Sequence, residues 1–289
     1  MTSPLFRLAH LSDPHIGPLP KPRWRELIGK RATGYINWRQ GGRSRAHDMK
    51  ALTALVADMR AQSPAHVALT GDVCNIGLPG EFTLAAKWLH TLGSPDDVSL
   101  APGNHDVYLR SSVTHMTREL SPWMRGDDGG HRFPYLRRRD GVAIIGLCSG
   151  VPTLPFVAAG RLGREQLARL AQMLRDTRDC VRVVLLHHPP VDGGGGIRNL
   201  GDHRLLAEVL LREGAELLLH GHSHAISHKS LPGPHGAIPV LGICSASSIG
   251  RNPRRRAAYY LIDIDPNSRR LAVSARQLGA EGQFHTLSS

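Results

Sequence analysis

Cysteine is scarce and scattered in this 289-residue sequence. Its four cysteines, Cys74, Cys148, Cys180 and Cys244, form no Cys-x-x-Cys pair. Cys148 and Cys244 lie in apolar runs and read as buried thiols, which fits a reducing compartment. Long apolar runs are also missing: nothing approaches the ~18 residues needed to cross a bilayer. The stretch Met1–Arg7 lacks the layout of a signal peptide, so the expected location is cytoplasmic. No Gly-x-x-x-x-Gly-Lys-[Ser/Thr] occurs, and the Gly193–Gly196 run, without the lysine or helix start of a phosphate-binding loop, reads as a flexible loop. Acid is in short supply, with 36 Lys+Arg against 24 Asp+Glu and a net charge of +12. That surplus favours anionic partners: nucleotides, nucleic acid, phospholipid head groups or a membrane surface. An arginine-rich proteome would give the same surplus, so charge alone selects no function. A hydrophobic content of 41% supports an ordinary core.

Along the chain, strand and helix patterns alternate. Phe6–Leu11 reads as a strand. About Ala46 to Arg60 reads as a helix with Met49, Leu52, Leu55, Val56 and Met59 on one face. His66–Thr70 is a strand, about Glu81 to Leu92 a helix, and Val98–Ala101 a strand. Residues 108–140 read as irregular, polar and basic. Gly141–Cys148 reads as a central strand, Leu162–Arg175 as a helix and Val181–Leu186 as a strand. Asp202 is a candidate N-cap for a helix through Arg212. Glu216–Leu219 is a strand, and from about residue 225 strands dominate (238–243, 258–265 and 271–275). This alternation predicts a layered α/β fold with helices outside. No repeat or linker is visible, so the expectation is one domain over residues 1–289. It carries an Arg/Trp-rich insert at about 18–45.

Five short motifs follow predicted strands: Asp13-Pro14-His15, Gly71-Asp72-Val73-Cys74-Asn75, Gly103-Asn104-His105-Asp106, His187-His188-Pro189 and Gly221-His222-Ser223-His224. Ligands on loops after strands fit the rule that open α/β sheets bind at the carboxyl ends of their strands, and would gather here at one sheet edge. Asp13 and His15 could reach one ion. Asp72 follows a buried strand, where an unpaired carboxylate is costly and a cation partner is expected. Asn104 offers an amide oxygen, and the adjacent His105 can face a substrate. His188 reads as structural. His222 and His224, two apart after a strand, can address two different ions. Carboxylate, imidazole and amide oxygen suit Mn, Fe or Zn, and seven candidate ligands fit two ions sharing a carboxylate.

In these motifs the sequence resembles the calcineurin-like metallophosphoesterases, whose pattern is DxH, GDxx(D/N), GNH(D/E), a later His, and GHxH. The resemblance runs from about Leu8 to Ile264. It looks closest to the bacterial branch of class III cyclic-nucleotide phosphodiesterases and glycerophosphodiesterases. It implies a four-layer αββα sandwich of two mixed β-sheets flanked by helices. It further implies one ion held by Asp13, His15, Asp72 and His224, and a second by Asp72, Asn104, His187 and His222, with Asp72 bridging. His105 matches the proton donor to the leaving group, and the ions activate water for attack on phosphorus. Asn75 stands where many members carry aspartate; it can orient the His105 imidazole but holds it cationic less well.

The expected function is therefore hydrolysis of small anionic phosphodiesters, cyclic nucleotides or related diesters, with arginines steering the anion. Three basic features flank the motifs: the insert, Arg132–Arg139, and Ser245–Ser248 with Arg251–Arg256. The insert mixes arginine with Trp24, Leu27, Ile28, Tyr35, Ile36 and Trp38. That is the composition of an interfacial helix, which would fit a UDP-lipid-type diphosphate at a membrane surface. It equally fits a basic surface helix whose apolar groups pack on the body. A nuclease and a non-catalytic scaffold are further alternatives. No dedicated nucleic-acid-binding domain is evident, and the filled ligand positions argue against a scaffold.

Overall fold

The computed structural model describes residues 5–191 and 197–287. The glycine run 193–196 lies outside them. In chain order the strands are β1 (Phe6–Leu11), β2 (His66–Leu69), β3 (Val98–Leu100), β4 (Tyr135–Arg139), β5 (Val142–Gly146), β6 (Val181–Leu185), β7 (Leu217–His220), β8 (Ser227–Gly233), β9 (Gly236–Gly242), β10 (Ala258–Asp265), β11 (Arg270–Leu278) and β12 (Phe284–Thr286). The helices are α1 (Lys30–Gln40), α2 (Arg43–Ala46), α3 (Met49–Ala61), α4 (Pro79–Leu89), α5 (Arg110–Leu120), α6 (Arg164–Asp176) and α7 (His203–Glu213).

The strands form two six-stranded mixed sheets, ordered β12-β11-β10-β1-β2-β3 and β4-β5-β6-β7-β9-β8. Phe6, Leu8, Val142, Ile144, Val183, Leu185, Leu217 and Leu219 meet in a core between the sheets. The alternate residues Ala9 and Leu11 join a second core with residues of α3, α4 and α5. Ile145, Val184 and Leu218 join a third with residues of α6 and α7. Both faces of the central strands are therefore buried, so they read in sequence as near-continuous apolar runs. The result is the four-layer αββα sandwich. Among the described residues no helix is long and apolar enough to cross a membrane.

Residues 108–140 are not irregular throughout. They contain α5, which buries only Ser112, Met116 and Leu120, and β4, which reads YLRRR. Arg137 hides that strand. Its guanidinium is buried and donates to the carbonyls of Arg125, Pro95, Val98 and Pro122 at 2.6–2.9 Å, a satisfied polar group in a position usually apolar. Asp202 does precede α7, but its carboxylate accepts from Leu162 N and Gly163 N (2.7–3.1 Å) just before α6 and makes no cap bond to α7.

Within the insert, Leu27 and Tyr35 pack against Ile76, Leu78 and Tyr108. Trp24, Ile28 and Ile36 are exposed, at 74%, 68% and 54%. The two readings of its apolar residues thus divide it between them. Arg31 anchors α1, donating to Gly77 O at 2.6 Å and to Ser112 Oγ at 3.2 Å.

Candidate functional site

The motif loops do not share one sheet edge. Those carrying Asp13 and His15, Asp72, and Asn104 follow β1, β2 and β3 of one sheet; those carrying His187, and His222 and His224, follow β6 and β7 of the other. The loops after β1 and β2 are zipped together by Asp13 N→Gly71 O (3.0 Å), His15 N→Asp72 O (3.1 Å) and Ile16 N→Val73 O (2.9 Å). His187 Nδ1 donates to Thr70 O at 2.6 Å and His222 N to Asp13 Oδ2 at 3.0 Å, joining the two sheets at this point. Gly71, at φ +88°, lets the Asp72 loop pass against Gly103, whose amide and Cα a side chain would strike. Asp13, His15, Asp72, His222 and His224 all sit at positive φ, 41–67°. Each such non-glycine conformation costs of order 1–3 kcal/mol and persists only where surroundings impose it.

Asp106 does much of that imposing, an assignment the sequence did not yield. Its buried carboxylate accepts from Asp72 N (2.8 Å), Cys74 N (3.0 Å) and Gly103 N (2.9 Å), clamping two motif loops together.

All seven predicted ligands converge. His187 Nδ1 is committed as a donor to a carbonyl, so its other nitrogen offers an electron pair. That Nε2 faces Asn104 Oδ1 at 3.1 Å, Asp72 Oδ2 at 3.2 Å and His222 Nδ1 at 3.2 Å. Electron-pair donors crowded in this way repel unless a cation sits among them. Without an ion there, Asp72 raises the His187 imidazole against burial, so that a proton on Nε2 takes the place a metal cation would occupy. On the other side, His224 Nε2 lies 3.1 Å from Asp13 Oδ1. His15 Nδ1 donates to Cys74 O at 3.0 Å, leaving its buried Nε2 with no partner. A second nitrogen held by a carbonyl, fixing the tautomer, is the usual support of a metal-binding histidine. Among the described residues three groups could hold an ion: Asp13, His15 and Asp72; Asp72, His187 and His222; and His15, His47 and His224. Asp72 belongs to two of them. The residues present therefore fit divalent metal.

His105 has its Nδ1 on the carbonyl of Asn75. Its Nε2 lies 3.2 Å from both terminal nitrogens of Arg43, so Arg43 donates to it. Burial, then Arg43, lowers the imidazole to about 3, which makes it neutral. Asn75 orients this ring through its main chain; its side-chain amide turns away to Ile16 O at 2.9 Å. His188 is structural, with Nδ1 2.8 Å from Ser149 Oγ and Nε2 3.1 Å from Ala158 O.

A cavity of about 540 Å³ opens over these residues, bordered also by Lys30, Arg43, Tyr108, Phe156, Arg198 and Arg255. Of the three basic features expected beside the site, the insert and the segment after β9 reach the cavity. Arg137–Arg139 do not line it; Arg138 pairs with Asp179 and Arg139 with Asp127. Arg43, at the end of the insert, and His47, just beyond it, were not assigned to the site from sequence, because no strand or motif there announces a ligand.

Comparison with known proteins agrees with this geometry. A glycerophosphodiester phosphodiesterase of Enterobacter lignolyticus is 26% identical over 224 residues, covering 76% of this chain and 71% of that one. A Synechococcus protein named as a probable cyclic nucleotide phosphodiesterase is 26% identical over 218 residues, covering 74% and 77%. A dimetal phosphatase of Danio rerio superposes with a TM-score of 0.61 over 99% of both chains at 14% identity, a likeness of fold. The family model for calcineurin-like phosphoesterases matches residues 6–225, and with the paired strand-end loops this places the chain in the calcineurin-like phosphoesterase family.

Proposed function

We propose that this protein is a phosphodiesterase that hydrolyses small anionic diesters, cyclic nucleotides or related compounds, at a centre of two divalent ions (Mn, Fe or Zn). The observation that carries this reading is the shared carboxylate: Asp72 belongs to two of the clusters able to hold an ion. Asp13, His15, Asp72 and His224 would hold one ion, and Asp72, Asn104, His187 and His222 the other. When bound, the ions supply Lewis acidity at the phosphoryl oxygens and make water acidic enough to act as a nucleophile. The chain's own residues supply the rest. Arg43 presents two N–H groups at the cavity wall, where they can meet a phosphoryl oxygen as a fork. Lys30, Arg198 and Arg255 draw the anion in. His105 borders the cavity; neutral as it stands, its Nε2 would first have to take up a proton from water, once Arg43 has turned to the substrate, before it could pass one to a leaving oxygen.

The test is turnover of the Mn-loaded protein on bis(p-nitrophenyl) phosphate beside p-nitrophenyl phosphate. Preference for the diester is expected; preference for the monoester would move the protein to the phosphatases. Asp72→Ala should lose metal and activity together. His105→Ala should keep its metal and lose turnover about 10²- to 10⁴-fold.

A second reading rests on Trp24, Ile28 and Ile36, exposed on the insert. They favour contact with a membrane surface and a diphosphate substrate carrying lipid. Co-sedimentation with anionic vesicles, lost in Trp24→Ser, would support it. The cytoplasmic assignment rests on the four free cysteines.

A further inference from the structure

We infer that His47 is an eighth donor to the metal centre, a ligand of the ion assigned to Asp13, His15, Asp72 and His224. This rests on the metal-centre reading above and extends it to a residue outside the family motifs. One ring nitrogen from each of His15, His47 and His224 lies within 4.8 Å of the other two. The His47 ring centroid is 4.6 Å from that of His15 and 5.9 Å from that of His224. His15 contributes a buried Nε2 that has no partner in the protein, so this side of the centre holds an unmet demand for a cation.

His47 is held in place as a ligand is held. It forms a bridge to Ser248. Asp48 N donates to Ser247 O at 2.8 Å, and Ile249 N to Ala46 O at 3.1 Å. Its Nδ1 lies 2.8 Å from Ser247 Oγ and 3.3 Å from Ser245 Oγ. Ser245 spends its hydroxyl proton on Asp13 O at 2.7 Å, so toward His47 it can only accept. With the ring proton on Nδ1 and donated to these hydroxyls, Nε2 is left with a free electron pair. A nitrogen hydrogen-bonded on one side and free on the other is the usual state of a metal-binding imidazole. Ser245 touches both His47 and the main chain of Asp13, so it couples the added donor to an expected ligand.

The extra donor has a chemical consequence. Four protein donors on that ion become five. Zinc is usually satisfied by four donors, whereas manganese and iron accept more oxygen and nitrogen ligands. His47 therefore biases this site toward the larger coordination number. The short stretch just after the insert that walls the cavity would thus also bear on the choice of metal.

The experiment uses the full chain, stripped of metal and titrated with Mn and separately with Zn by calorimetry, with metal content counted by mass spectrometry. Wild type should bind two equivalents. His47→Ala should weaken one Mn equivalent about 10- to 100-fold and leave the other unchanged, the scale at which support of a metal site is felt. Zn binding should change less. Ser247→Ala, which keeps the imidazole but removes its hydrogen bond, should weaken the same equivalent to a smaller degree. His47→Gln preserves bulk should the alanine variant fail to fold, and circular dichroism checks both. Two unchanged Mn affinities in a folded His47 variant would overturn the inference, and a raised KM in that variant would assign His47 to the substrate. A wild type that binds no metal would overturn the centre itself along with this step.

Discussion

Arg182 is the second residue of β6, yet it is 3% exposed. Its Nε and Nη2 donate to the two oxygens of Glu216 at 3.0 and 2.9 Å, and its main-chain N donates to Oε2 at 2.7 Å. Burial alone would raise the Glu216 carboxyl, but these bonds prevail and hold it below its usual range. A carboxyl depressed in the folded state adds stability above its unfolded value, near 4.5, and loses it as the pH falls through the folded value. Glu216→Gln leaves the buried guanidinium facing a neutral group, which should cost about 2 kcal/mol at pH 7. Urea denaturation of both proteins checks this. The gap should be constant above about pH 6 and narrow below pH 4.5. A gap that widens in acid would show that the pair does not set the carboxyl's affinity for protons. The metal-site residues obey similar logic in a different role: where Glu216 finds a guanidinium, Asp72 finds the His105 main-chain N–H at 2.8 Å and the His187 imidazole at 3.2 Å, and no guanidinium or ammonium group bonds to it among the described residues.

Elements were legible wherever apolar residues outnumber the signals that disguise them. β2, β5, β6 and β7 are buried on both faces and show it as near-continuous apolar runs, and β1 does so around Arg7. β4 escaped because Arg137 satisfies its charge with carbonyls, and α5 because a helix covering one edge needs few apolar residues. β8, reading SHKSLPG, is largely exposed and escaped for the same reason. The insert was legible only as composition, since what docks it is geometry. Gly34 lets α1 lie against Tyr108 and Ile76, and any Cβ at that position would collide with the Tyr108 hydroxyl. Gly34→Val should therefore lift α1 from the body. Because α1 also brings Lys30, Thr33 and Asn37 to the cavity, KM for a diester should rise severalfold. Limited proteolysis should cut within residues 18–45 first, while the main thermal transition moves little, as expected for a locally opened segment. Equal protease resistance in the two proteins would mean that α1 is held by Arg31 alone.

At the scale of the molecule, the family match ends at residue 225, but the fold does not. β10 sits inside the first sheet, pairing antiparallel with β1 from Phe6↔Ile264 to His10↔Tyr260. β9 extends the second sheet beside β7. β10 alone buries Tyr259, Tyr260, Leu261, Ile262 and Ile264. At about 1.5–3 kcal/mol for each large apolar side chain, that burial is comparable to the net stability of about 5–15 kcal/mol typical of a whole domain. The segment after β9 also reaches the metal loops, through Ser245 Oγ→Asp13 O at 2.7 Å and Ala246 N→Ser12 O at 2.8 Å. A chain ending at residue 225 would keep every motif residue and the Asp106 clamp, but lose the β10 pairing that seats β1 and the Ser245 and Ala246 contacts to the loop after it. It should show no cooperative thermal transition by circular dichroism and should bind no metal with the affinity of the full chain. A cooperative transition with intact metal binding would instead mean that the motif loops carry their own support. The motifs were readable because each lies on a short stretch after a strand. The strands that hold those stretches in place come from a tail in which no single residue marks the chemistry, so its importance emerges only from the pairing of β10 with β1.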